Sequence, residues 1–125
     1  MLFDSDVLIW LLRGDRSADG VLDEDPDPAM SVVAYMELLQ GAQSRQDARS
    51  IKAFLVAMRF EILPLNENIG HRASIYLEEY GLGSGLDIPD ALIAATAVEH
   101  GLTLCTANHK HYRPIADLDL RPFRP

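Results

Sequence analysis

The chain has 125 residues, 48% of them hydrophobic and 24% charged, with a formal net charge of −8. That length suits one domain with one core, read as residues 1–125, and the acidic balance excludes a non-specific binder of nucleic acid or of anionic membranes. With one cysteine, Cys105, no signal peptide and no apolar run near the roughly 18 residues of a membrane span, a non-membrane protein of the reducing cytoplasm is expected.

In chain order, Met1–Asp4 reads as a short buried strand ending at Asp4, followed by an apolar helix over Val7–Leu12 that stops at Arg13-Gly14. Asp15–Pro28 is strongly acidic, with a short helix expected at Ala18–Asp23 and then a loop. Ser31 is a good N-cap for a helix from Val32 to about Gln43, whose apolar positions Val32, Tyr35, Met36 and Leu39 keep helical spacing. A second helix, Gln46–Met58, is expected to bury Ile51, Phe54, Leu55 and Met58 and to carry Arg45, Arg49 and Lys52 along one outer face. Phe60–Leu63 reads as the next strand, stopped by Pro64 and taken as the middle one. Asn66 caps a helix through about Tyr80, and Gly81–Gly85 reads as a flexible loop. Leu86–Asn108 then supplies a helix apolar all round, which belongs in a core, and a strand at Leu102–Cys105. A basic turn, His109–Arg113, and a last strand near Leu118–Leu120 complete the chain. Strands and helices alternate, so the class is α/β with a mostly parallel sheet of four to five short strands.

Polar groups at the ends of core elements are where such proteins do chemistry. Four positions stand out. Asp4 ends the first strand, Asn108 follows the strand Leu102–Cys105, and Glu37 and Asp90 lie in the N-terminal halves of two helices. Parallel strands put all four at one sheet edge, where carboxylates repel one another unless a cation neutralises them. Hard oxygen ligands with open positions suit Mg²⁺, with Mn²⁺ as a substitute, and such an ion can activate water beside a phosphoryl group. Each residue also has a structural explanation. Asp4 can cap the following helix, Asp87 is an N-cap with Pro89 in the first turn, and Asp90 can be the fourth member of that cap. Glu37 is hardest to explain this way, because it sits mid-helix beside Val33, Ala34 and Gly41 with no nearby cation. His109 and His111 read as an exposed basic loop. Two locally positive segments, Arg45–Arg59 and Thr106 to the end, could guide a phosphate backbone past the acids or be ordinary solvated faces.

These residues carry a family resemblance. FDSDVLIWLLRG, SVVAYMELLQGA and DALIAATAVEHGLTLCTAN resemble, in order and over essentially the whole chain, the motifs of the PIN-domain ribonucleases of the VapC toxin type. The resemblance implies a PIN-like three-layer α/β/α fold. It implies a Mg²⁺- or Mn²⁺-dependent endoribonuclease whose core acids are Asp4, Glu37 and Asp90. Asn108 falls at a fourth site position, and Ser5 and Asp6 stand beside the first acid. A VapB-type antitoxin partner and a homodimer are implied as well. The chain departs from the family's T-R-N-x-x-D-F run: Ala107 stands for the usual arginine and His111 for the usual aspartate. That puts substrate grip and a second metal position in doubt, but not the core acids.

Rival readings exist. Asp4-Ser5-Asp6 is similar to the D-x-D motif of haloacid-dehalogenase-like phosphohydrolases, with Asp4 as nucleophile, but this leaves Glu37 unexplained. A receiver domain needs an aspartate at the end of its middle strand, and Ile62-Leu63-Pro64 has none. A PIN fold serving only as a binding scaffold is the non-enzymatic alternative.

Overall fold

The strand at the centre of the sheet is only two residues long. In the computed structural model, which describes Met1–Pro125, β1 (Leu2–Phe3), β2 (Ala29–Ser31), β3 (Glu61–Leu63), β4 (Leu104–Thr106) and β5 (Leu120–Pro122) form one sheet in the order β3-β2-β1-β4-β5. Every pairing is parallel. Seven helices connect them: α1 (Ser5–Leu12), α2 (Arg16–Asp23), α3 (Val32–Gln40), α4 (Arg45–Ala57), α5 (Glu67–Ser84), α6 (Ile88–Glu99) and α7 (His109–Tyr112). All residues of β1, β2 and β4 are buried. Because successive strand residues face opposite sides, helices must cover both faces, the expected α/β/α arrangement. Leu2, Phe3, Val7, Leu8, Met30 and Leu104 are all within 1% of full burial and anchor the core.

The chain runs outward from β1 through β2 to β3, then returns to the other side of β1 for β4 and β5. The direction of winding therefore reverses between β1 and β4, and the crevice beyond their C-terminal ends is where open α/β sheets bind ligands. The same order places Glu61–Leu63 at an edge, not in the middle as expected. It also differs from the 2-1-3-4-5 order of receiver domains, which removes that rival on topology.

Several local expectations change. The strand β2 is absent from the sequence reading. Its three residues lie between an acidic loop and a helix, and Ser31 serves both as the last strand residue and as the N-cap that accepts from Val33 N. The buried face of α3 is Val33, Ala34 and Leu38, not the stripe of Val32, Tyr35, Met36 and Leu39; Met36 is 56% exposed. Met58 is also exposed rather than buried. Gly81–Ser84 is no loop but the last turn of α5, which ends at Gly85 in the left-handed conformation, φ 76°.

The end of α4 has the geometry of a glycine cap without the glycine. Arg59 has φ 60°, Arg59 N donates to Val56 O at 3.1 Å, and Phe60 N donates to Leu55 O at 3.0 Å. This is a complete Schellman closure built on a residue with a Cβ, where glycine is normally preferred. Arg59→Gly is expected to raise stability by about 0.5–1 kcal/mol, since the left-handed strain of an L-residue outweighs the added chain entropy of glycine. Chemical denaturation of the two proteins measures the difference, and an unchanged or lower midpoint would show that the arginine is not strained.

Candidate active site

The site is assembled at the crevice between β1 and β4. Asp4 leaves β1 in an extended conformation and caps α1, with Oδ1 accepting from Ser5 N at 2.8 Å. Its other oxygen, Oδ2, accepts from the Thr106 hydroxyl at 2.8 Å. Capping and membership of an acid cluster are thus one role, because the carboxylate that closes the helix start also faces β4. Both oxygens are engaged and the side chain is buried, which suits a fixed ligand better than the free nucleophile of a D-x-D phosphohydrolase.

In the first turn of α1, Asp6 turns back toward β4. Its Oδ2 accepts from Ala107 N at 3.1 Å and lies 3.4 Å from the Thr106 hydroxyl, while Oδ1 is buried with no partner. Thr106 ties the group together, since its hydroxyl oxygen also accepts from Asn108 N at 3.0 Å. Glu37 reaches the same crevice from α3, and the Ser5 hydroxyl donates to its Oε1 at 3.2 Å. Ser5 therefore links the first acid to the second, donating its backbone N–H to Asp4 and its side chain to Glu37.

Asp87 is the N-cap of α6, accepting from Asp90 N at 3.0 Å. With the helix start closed by Asp87, the Asp90 carboxylate is free to face the crevice. The Tyr112 hydroxyl donates to its Oδ1 at 3.0 Å, and His111 Nδ1 stands 3.3 Å from its Oδ2. Asn108 precedes α7 but makes no side-chain cap; its Nδ2 instead contacts His111 Nδ1 at 2.8 Å. The structure thus brings Asp4, Ser5, Asp6, Glu37, Asp90 and Asn108 to one crevice. Two further residues join them: Tyr112, which the sequence does not mark, and His111, which reads as part of an exposed basic loop and stands where the resembled family has an aspartate. A single-turn helix leaves no periodicity to find, so that resemblance is the one signal for His111.

Electrostatics mark this place. Burial is the leading cause of an upward pKa shift at Asp4, Asp6, Glu37 and Asp90 alike, and neighbouring carboxylates add to it at Asp4 (from Asp6), at Glu37 (from Asp90, Asp87 and Asp6) and at Asp90 (from Asp87). Asp4 is pushed from the usual 3.8 to about 7, by burial first and the Asp6 charge second. Burial also raises the Tyr112 phenol, keeping it a neutral donor to Asp90. The ion pairs of Arg72 and Arg121 lie elsewhere, and the only basic group paired with a site acid is His111.

The donors are carboxylate and amide oxygens, which suit a hard divalent cation, and the orphaned Oδ1 of Asp6 is an acceptor without a donor. By its chemistry the set fits such an ion. The acids nonetheless ring the crevice rather than close on a point: no three His, Cys, Asp or Glu side chains stand near enough to share one ion as placed. Like charges spread carboxylates apart, and a cation between them would draw them together. No helix of the chain is long and apolar enough to cross a membrane.

Comparison with known proteins agrees with this architecture. The family model described as the PIN domain matches residues 1–116. A toxin–antitoxin complex from Klebsiella pneumoniae contains a chain 33% identical to this one, with a TM-score of 0.79 and coverage of 94% of this chain and 93% of that one. VapBC-1 from nontypeable Haemophilus influenzae is 26% identical with a TM-score of 0.78, covering 97% and 96%. VapBC2 from Rickettsia felis, crystallised with a promoter DNA fragment, shares the fold at 23% identity and a TM-score of 0.81 over 98% of each chain. No curated protein matches the chain.

Proposed function

The chain belongs to the PIN domain family, and on that premise we propose that it is the toxin half of a VapBC-type toxin–antitoxin pair, an endoribonuclease that depends on Mg²⁺ or Mn²⁺. The observation that carries the reading is the group of four carboxylates, Asp4, Asp6, Glu37 and Asp90. They are held at the reversal point of the sheet with raised pKa values and no lysine or arginine to offset them. Such a group costs stability unless it has work to do.

In this reading Asp4, Glu37, Asp90 and Asn108 hold the ion, with Ser5 and Asp6 behind them. A divalent ion there supplies a water of lowered pKa and positive charge opposite the phosphoryl oxygens. The chain's own groups do the positioning. Thr106 and Ser5 fix the two oxygens of Asp4, Ser5 also steadies Glu37, and Tyr112 steadies Asp90. Neutral Asn108 adds an oxygen without adding to the repulsion. No serine or cysteine of the site is paired with an imidazole or amine, and the one carboxylate that Ser5 meets, Glu37, is given to the ion in this reading, so the expected reaction is direct hydrolysis, leaving 5′-phosphate and 3′-hydroxyl ends.

A protein partner is supported by the surface beside the acids. Ile9, Leu12, Leu38, Ile51 and Phe54 line a cavity of about 570 Å³ that Glu37 also lines, and Ile9 and Leu12 are among the exposed large apolar residues. A VapB-type antitoxin seated there would cover apolar surface and the acid site together. A homodimer acting in the cytoplasm completes the proposal.

Incubation of total RNA with the purified chain tests the reading. Cleavage is expected with Mg²⁺ or Mn²⁺, is lost on chelation, returns on adding the ion back, and leaves 5′-phosphates at the mapped ends. Cutting that persists in excess chelator, or 2′,3′-cyclic phosphate ends, would rule out the metal-dependent mechanism.

A further inference from the structure

The contact between α6 and α7 holds a nitrogen among oxygens. His111 Nδ1 lies 2.8 Å from the Asn108 side-chain amide and 3.3 Å from Asp90 Oδ2. Nδ1 carries either one proton or one lone pair. As a donor it is divided between the carboxylate and an amide oxygen. As an acceptor from the Asn108 N–H, its lone pair also faces the Asp90 carboxylate, and the two repel. The first state leaves one proton for two acceptors and the second sets a lone pair against a carboxylate, whereas a cation on that edge meets all three as ligands, with Asn108 turned to present its oxygen.

The spacing agrees. Two ligands at right angles on an octahedral ion with bonds near 2.1 Å stand about 3 Å apart, between the 2.8 and 3.3 Å separations found here. The groups are also held in place. Tyr112, next in sequence to His111, is completely buried and donates to the other oxygen of Asp90, so α7 is locked against α6 with the imidazole at the mouth. The His111 side chain is 38% exposed, which leaves the ring open to solvent and to an ion. The group has one carboxylate, one imidazole and one amide, in keeping with the absence of three His, Cys, Asp or Glu side chains around one point.

We propose that His111 Nδ1 is a direct metal ligand beside Asp90 and Asn108, and that it gives this site a preference for Mn²⁺ over Mg²⁺. The consequence follows from ligand chemistry. Imidazole nitrogen suits transition-metal ions, whereas Mg²⁺ prefers an all-oxygen shell. The inference rests on the metal-site reading above and adds to it the identity of the ion.

Pulsed EPR of the full chain loaded with Mn²⁺ alone tests this. The wild type is expected to show ¹⁴N coupling from a directly bound imidazole, and His111→Asn and His111→Asp are expected to lose it. In Mn²⁺ titrations with Mg²⁺ as competitor, the preference for Mn²⁺ should fall by about tenfold or more in His111→Asp, which restores an oxygen donor, matching the usual weight of groups that set a metal site. A residue that only steadied Asp90 would weaken both ions together and give no nitrogen coupling. Mn²⁺ bound without nitrogen coupling, coupling that survives in His111→Asn, or an unchanged Mn²⁺/Mg²⁺ ratio would each overturn the proposal. The nuclease reading is separable: nitrogen-coupled Mn²⁺ on a chain that cuts no RNA upholds the ligand and removes the activity.

Discussion

Asp90→Asn is expected to lower metal-dependent RNA cleavage by at least about a hundredfold, the usual effect of removing one preorganised electrostatic group, while the fold survives. The reason lies in how the residue is held. Asp87, not Asp90, caps α6, so the helix start does not need the Asp90 charge. Asparagine keeps the side-chain shape and an oxygen for the Tyr112 hydroxyl, which donates to Oδ1 at 3.0 Å. What it loses is the charge that faces the crevice. Glu37→Gln makes the same argument from the other wall, because a glutamine oxygen still accepts from the Ser5 hydroxyl. Steady-state cleavage of one RNA by the three proteins, with circular dichroism as the fold control, measures the effect. Full activity in either variant would remove that residue from the site.

The second large effect is on stability and runs against intuition. In the metal-free protein, Asp4→Asn is expected to raise the melting temperature at pH 8 by several degrees, although it removes a site residue. Asp4 in the folded chain titrates near 7, against the usual 3.8, because burial and the Asp6 charge disfavour its ionised form. Between those values the folded state binds more protons than the unfolded state, so stability falls as pH rises through the window and stays low above it. Asp6, Glu37 and Asp90 are shifted in the same direction. Metal-free wild type should therefore melt higher at pH 5.5 than at pH 8, and Asp4→Asn should flatten that difference. Asparagine caps helices as well as aspartate does, so the Ser5 N–H keeps its acceptor. Added Mn²⁺ should restore wild type at pH 8 through binding to the folded state alone and should do much less for the variant. Thermal melts at the two pH values, with and without the ion, decide this. A wild type more stable at pH 8 than at 5.5 without metal would mean that the acids are not strained.

How much of this could be read from the residues depends on the length of the element carrying them. Asp4, Glu37 and Asp90 were legible because each is tied to a helix of eight residues or more, where capping and periodicity speak clearly. The face of α3 was not, because a helix reading VVAYMELLQ is apolar on nearly every side and any phase fits it. Gly81–Gly85 was misread from composition. Glycines weaken a helix, but the Ser84 hydroxyl donates to Tyr80 O at 2.7 Å and Gly85 closes the turn in the left-handed conformation. β2 has three residues and no alternation, so only pairing with β1 and β3 defines it. The same limit holds for His111, which only the family resemblance sets beside the site. Its place in the site comes from the buried Tyr112 beside it and from Asn108 three residues earlier, neither of which marks a short basic run as part of an active site.

The central position of β1 has one further consequence, for synthesis. The hydroxyl partner of Asp4, Thr106, comes 102 positions later, and β4 pairs directly with β1. At roughly 5–20 residues per second, the chain grows for about 5–20 s between the two. Until β4 emerges the sheet lacks one side of its crevice and Asp4 has no wall to face. A nascent chain therefore carries Asp4 and Glu37 without a site to put them in, and the acids meet only after Asp90 and β4 have been made. A partner that must reach this surface before it meets RNA has that interval in which to be present.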